Sequence, residues 1–110
     1  MITVSIERDQ LGCIKAFSIS GHSGYAQRGQ DIVCAGVSAV AQTAILGLQD
    51  LLHIECAGSQ SEGQLVCGLP LMEPMLRREA DIVLETMLLG LTAIASVYAG
   101  NVQILDTKEV

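Results

Sequence analysis

Apolar and polar residues alternate strictly over residues 2–7, so Ile2, Val4 and Ile6 share one face, the pattern of a half-buried strand. Arg8-Asp9-Gln10-Leu11-Gly12 reads as a turn, and residues 13–20 return as a second strand, giving a hairpin. In that strand Cys13, Phe17 and Ile19 share a face with Lys15, which predicts a twist or bulge there. Residues 21–30 have no hydrophobic period and carry three glycines, hence a loop. Asp31 is a favourable N-cap, and residues 32 to 52 read as a helix rich in small side chains: Ala35, Gly36, Ala39, Ala41, Ala44 and Gly47. Gly36 should cost about 1 kcal/mol relative to Ala in a helix interior, so a close neighbour is expected to need that space.

Residues 53–58 and 64–69 look like two short strands around the turn 59–63, with Ile54 and Cys56, then Leu65, Cys67 and Leu69, in alternation. Glu73-Pro74 opens a long second helix with proline at its first position, and Gly100-Asn101 closes it. Residues 102–105 supply a last strand. The order ββαββαβ predicts one α+β domain over residues 1–110: a two-layer sandwich, with a mixed sheet and two helices packed on one face.

The second helix is apolar almost all round over residues 84–99. This stretch is short for a membrane span and includes Glu85, with Asp81 just upstream. It is therefore expected to be covered on one side by its own sheet and on the other by a second copy of the chain, making a homodimer. Half of the residues are hydrophobic and 16% are charged, which excludes a disordered chain. The net charge is −6 and the six basic residues are scattered, so no direct nucleic-acid partner is expected. The N-terminal alternation lacks the basic and apolar regions of a signal peptide, which predicts a cytoplasmic protein. Of the four cysteines none forms a CxxC pair, so neither a structural zinc site nor disulfide staples are expected. Cys13, Cys56 and Cys67 are read as small buried hydrophobes, and no cofactor is called for.

The chemistry concentrates in residues 21–34. With Asp31 as N-cap, Cys34 is the third helical residue, close to the backbone N–H groups and positive dipole end of the helix. A thiol attacks as thiolate, which such donors favour, and the same donors can hold the oxyanion of a carbonyl under attack. Ile32 and Val33 are expected to anchor this turn against the sheet. His22, at the end of the second strand, can take the thiol proton and return it to a leaving amine if the loop folds back. Asp31 could also orient the imidazole, although capping is its more direct role. This pattern is that of a small cysteine hydrolase.

The run Gly21-His22-Ser23-Gly24-Tyr25-Ala26, followed by Gly29-Gln30-Asp31-Ile32-Val33-Cys34-Ala35-Gly36-Val37-Ser38, resembles the signature of the ribosomal-processing cysteine protease family, Prp, and the resemblance covers essentially the whole chain. It implies a cytoplasmic homodimeric endopeptidase that removes a short N-terminal extension from a large-subunit ribosomal protein, cutting after an apolar, aromatic-containing sequence. Carried over, it makes Cys34 the nucleophile and His22 the base. Gly21 and Asp31 then shape the site, and Ser38, one helical turn past Cys34, is a supporting polar group. Ser23 stands where the family commonly has Ala, and Gly36 where Ala is usual.

Other features have plainer roles. His53 and Cys56 form an H-x-x-C, but His53 lies near a helix C-terminus where an imidazolium is favoured without metal. Gln27 and Arg28 could touch substrate or be solvated. Arg77-Arg78-Glu79 reads as a solvated face, and Asp50 and Glu85 could bridge a dimer. The competing function is a non-catalytic dimeric ribosome-assembly binding module in which the thiol is incidental. A redox role would require another cysteine near Cys34.

Overall fold

The computed structural model describes residues 1–107. Its elements are β1 (Ile2–Arg8), β2 (Ile14–Ser20), α1 (Ile32–Leu46), a π-helical turn (Gly47–Leu51), β3 (Ala57–Ser61), β4 (Gln64–Gly68), α2 (Pro74–Val97) and β5 (Val102–Asp106). They form one five-stranded sheet in the order β3-β4-β2-β1-β5. β1 and β5 are parallel and all other neighbours antiparallel, so the sheet is mixed. One core cluster joins Ile2, Val4 and Ile6 of β1 to Val37 and Ala41 of α1 and to Leu84 and Leu91 of α2. Both helices therefore cover the same face, as the ββαββαβ pattern predicts.

The irregularity expected at Lys15 is present. Glu7 pairs with Ala16 and Arg8 with Ile14, leaving Lys15 as the extra residue of a bulge. The bulge shifts the side-chain parity, so Ile14, not Cys13, joins Phe17 in the core. Cys13 lies just before the strand. The second hairpin is shorter than the sequence suggests. β3 begins at Ala57, and Ser61 pairs with Gln64, so the turn is only Glu62-Gly63, with Gly63 at φ +74°. Every residue of β3 is exposed. Ile54 is buried instead from the tail of the first helix, where its N–H donates to the Leu48 carbonyl at 2.9 Å.

Glu73 caps α2 by accepting from the N–H groups of Met75 and Leu76, and Pro74 is its first residue. A single stripe, Ala80, Leu84, Met87 and Leu91, is buried against the sheet, while Ile82, Leu89 and Val97 face outward. The charges around this helix differ from expectation. Glu85 is bound within its own chain, 2.5 Å from Arg8 Nη1, because Arg8 is buried and needs counter-charge. Arg77 is not on a solvated face. It lies half-buried, donates to the Ile14 carbonyl and approaches Asp9 at 3.6 Å, because the bulge leaves that carbonyl within its reach.

Gly36 packs against Ile94 of α2, but a Cβ there would stand 3.6 Å from Ile94 Cδ1, an ordinary contact. The close neighbour exists without requiring glycine. Gly36→Ala is expected to raise stability by about 1 kcal/mol, near 4 °C in melting temperature, because only the backbone entropy changes. An unchanged or lower melting point in a calorimetric scan would show that α1 and α2 cannot accept the methyl.

Candidate active site

Asp31 is the N-cap of α1 and fixes where the thiol sits. Its Oδ1 accepts from the N–H groups of Val33 and Cys34, both at 3.0 Å, and its backbone carbonyl accepts from Ala35. Val33 is fully buried and anchors the turn, whereas Ile32 is exposed and does not. The cap thus occupies the helix amides that the sequence suggests for an anionic sulfur. The donor that reaches Cys34 Sγ is the backbone N–H of Ser23, at 3.4 Å, from the loop.

Ser23 is the residue that sequence reasoning undervalued. It is buried; its hydroxyl donates to Asp31 Oδ2 and accepts from the Tyr25 N–H. Its carbonyl accepts from Asn101 Nδ2 at 2.8 Å. Loop, helix cap and thiol are locked together through this one small residue, the cap by its hydroxyl and the thiol by its backbone N–H. Two further contacts hold the loop: Tyr25 packs edge-to-face on Tyr98 at 5.4 Å, and Arg28 pairs with Glu62 at 2.9 Å on the surface. The only prior signal for Ser23 was that it stands in place of the more usual Ala.

His22 enters from the end of β2. Gly21 before it has φ +92°, and its N–H donates to the Gly63 carbonyl at 2.9 Å. A Cβ on Gly21 would fall 2.3 Å from the Met1 carbonyl oxygen, so the N-terminal residue crosses where only glycine fits. The N-terminal ammonium donates to the His22 carbonyl at 2.5 Å, pinning the same corner. The imidazole lies over Gly63, whose missing Cβ would sit 3.0 Å from Nε2. Gly63 is thus a second residue that the sequence did not mark.

Cys34, His22, Gly21 and Ser38 line one cleft of about 210 Å³ between α1 and the β3–β4 hairpin. Ser38 accepts from Gln42 Nε2 at 2.9 Å. Asp31 does not line the cleft; it acts through the cap. Cys56 and Cys67 are free thiols, and burial pushes the Cys67 thiol up to about 12. Among the described residues no three His, Cys, Asp or Glu side chains converge as metal ligands.

The Ser23 hydroxyl first, then the backbone N–H groups of Cys34, Ala26 and Val33, hold the Asp31 carboxyl down to about 2 from 3.8. A carboxyl depressed on folding stabilises fully above its unfolded value and loses that contribution as pH falls through the folded one. The melting-temperature difference between the parent chain and Asp31→Asn is therefore expected to be constant above pH 4 and to shrink between pH 4 and 2. A difference independent of pH over that interval would remove the charge from the cap's role.

A sandwich with a thiol on a capped helix start and an imidazole in the same cleft is the arrangement of a cysteine protease. The chain belongs to the Prp family: residues 1–103 match the family model described as Cysteine protease Prp. It is 32% identical to the ribosomal processing cysteine protease Prp of Bacillus subtilis, over 94% of this chain and 96% of the relative. Two crystal structures of the essential ribosomal processing protease Prp from S. aureus share the fold. The one with a covalently linked product peptide has a TM-score of 0.89 at 28% identity, covering 97% of this chain and 100% of that one. The one with a substrate peptide has a TM-score of 0.82 at 27% identity, with the same coverage.

Proposed function

We propose that this chain removes a short N-terminal extension from a large-subunit ribosomal protein, with Cys34 as nucleophile and His22 as general base. The observation that carries this reading is the shared cleft, in which the capped Cys34 and the loop-borne His22 converge. The relatives' ribosomal processing activity and their peptide complexes support it. His22 takes the thiol proton as Sγ attacks the scissile carbonyl, then gives it to the departing amine. A thioester on Cys34 remains, and water activated by the same imidazole releases the new C-terminus. Ser23 holds the sulfur and the loop in register through this sequence, Gly21 and Asp31 keep imidazole and thiol in place, and Ser38 supplies a polar wall. The direct test is incubation with a peptide spanning the processed junction, with mass spectrometry locating the cut. Absence of cleavage would refute it.

The reading includes a cytoplasmic homodimer built through the second helix. Ile82 of α2 lines an apolar groove of about 520 Å³ shared with Val40 and Leu51, an outward face that a second copy would cover. Sedimentation at micromolar concentration is expected to show a dimer and Ile82→Glu a monomer. A monomeric parent chain would remove this part of the proposal.

A further inference from the structure

Among the described residues, the donor that reaches Cys34 Sγ is the Ser23 N–H, at 3.4 Å. The first-turn amides of α1 are engaged elsewhere. Val33 and Cys34 donate to Asp31 Oδ1 and Ala35 to the Asp31 carbonyl. Stabilising negative charge at the reacting centre therefore falls to an amide of the loop. A donor aimed at the attacking sulfur also lies beside the oxygen of the carbonyl under attack, where charge develops.

The loop does not aim this N–H by its own sterics. Gly24, directly after Ser23, has φ +71°, and a Cβ there would meet nothing within 4 Å. The Ser23 hydroxyl, bound to Asp31, fixes one point and leaves the residue free to turn about it. Asn101 supplies the second anchor: its Nδ2 donates to the Ser23 carbonyl at 2.8 Å. Two anchors on one residue leave its N–H a single direction. The backbone of Asn101 is itself held from two sides. Its N–H donates to the Tyr98 carbonyl at the end of α2, and its carbonyl accepts from the Ile2 N–H of β1, each at 2.8 Å. The carboxamide thus stands on helix and sheet together, and it passes their rigidity to the loop.

We propose that Asn101 is a positioning residue for the cleavage: through the Ser23 carbonyl, it keeps the Ser23 N–H aimed at the Cys34 sulfur and at the oxyanion formed on the attacked carbonyl. The proposal rests on the proteolytic reading above. It assigns a share of transition-state stabilisation to the turn between α2 and β5, which lines no part of the cleft. The charge that this donor serves is greatest during attack. Its misalignment slows the chemical step and leaves peptide binding in place.

The test uses two variants. Asn101→Ala removes the carboxamide, whereas Asn101→Asp keeps its shape and replaces the donor by an acceptor. Asn101 is half-buried in a turn, so neither change opens a hole in the core. Both variants and the parent chain are assayed by single-turnover cleavage of the junction peptide over a range of enzyme concentrations. The temperature is kept well below each melting point, so loss of folded protein does not enter. The maximal rate is expected to fall about tenfold in both variants, less than the ~10²–10³ lost when an oxyanion donor is removed outright. The half-saturating concentration should stay within about twofold of the parent value. A packing role would spare Asn101→Asp. A parent-like maximal rate in that variant, or a loss carried by half-saturation in either, would overturn the positioning role while leaving the hydrolysis intact. A parent chain that does not cut the peptide would refute the proteolytic reading itself, and the positioning role with it.

Discussion

Replacing Cys34 with Ser is expected to lower cleavage of the junction peptide by at least ~10³-fold while leaving the fold in place. The size of the loss follows from the role proposed for the sulfur. Removing a nucleophile abolishes the covalent route, and what survives comes only from binding and positioning. The fold should persist because the Ser hydroxyl can still accept the Ser23 N–H, as Sγ does at 3.4 Å. Cys34→Ala should be equally inactive but a little less stable, because that N–H then loses its acceptor at a half-buried position, a cost of about 1 kcal/mol. The decisive measurement is single-turnover cleavage, with melting temperatures recorded alongside. Undiminished cleavage by a folded Cys34→Ser protein would mean that the thiol is incidental and the peptide bond is broken elsewhere.

Arg8→Met is expected to cost ~3 kcal/mol of stability, the largest loss foreseen for any change outside the site. The Arg8 side chain is 6% exposed. It donates through Nε and Nη2 to the Asp106 carboxylate at 2.9 and 3.0 Å, and through Nη1 to Glu85 at 2.5 Å and to the Gly12 carbonyl at 2.7 Å. The two carboxylates hold the guanidinium well above its ordinary value, Asp106 foremost. Methionine fills the volume but withdraws the positive charge and the hydrogen bonds that the guanidinium supplies to both carboxylates, which costs more than the ion pair itself contributes. β5, α2 and the first hairpin are joined through this one side chain, so the loss should appear as a single cooperative transition at lower denaturant. If chemical denaturation places the variant within 1 kcal/mol of the parent chain, solvent is already supplying the counter-charge.

The secondary structure was legible in the chain because its signals are local. The alternation of Ile2, Val4 and Ile6, the cap at Asp31 and the proline at the start of α2 act over a few residues, and each appears where expected. Position within a strand was less legible. The extra residue at Lys15 reverses the parity of everything before it, so Ile14 enters the core in place of Cys13. β3 has no apolar alternation at all, and its limits come from pairing with β4. Arg77 and Glu85 look like surface charges in sequence because their partners, Ile14 and Arg8, are more than sixty residues away.

The same division holds at the site. Residue type and spacing make His22 and Cys34 candidates, since a glycine-bounded histidine and a capped cysteine are both local patterns, and the resemblance to the Prp signature is what sets them above the other histidine and cysteines. Ser23, Gly63 and Asn101 gain their roles only when the chain closes on itself. Ser23 matters because its hydroxyl meets Asp31 and its N–H meets the sulfur, and Gly63 because an imidazole occupies the space its side chain would fill. Sequence alone determined which groups could do chemistry and where the two helices begin. Tertiary structure decided which amide faces the thiol, where Arg8 finds its carboxylates and which carbonyl Asn101 holds. Contacts between distant residues depend on the packing of the whole sheet, and no short stretch of chain encodes that.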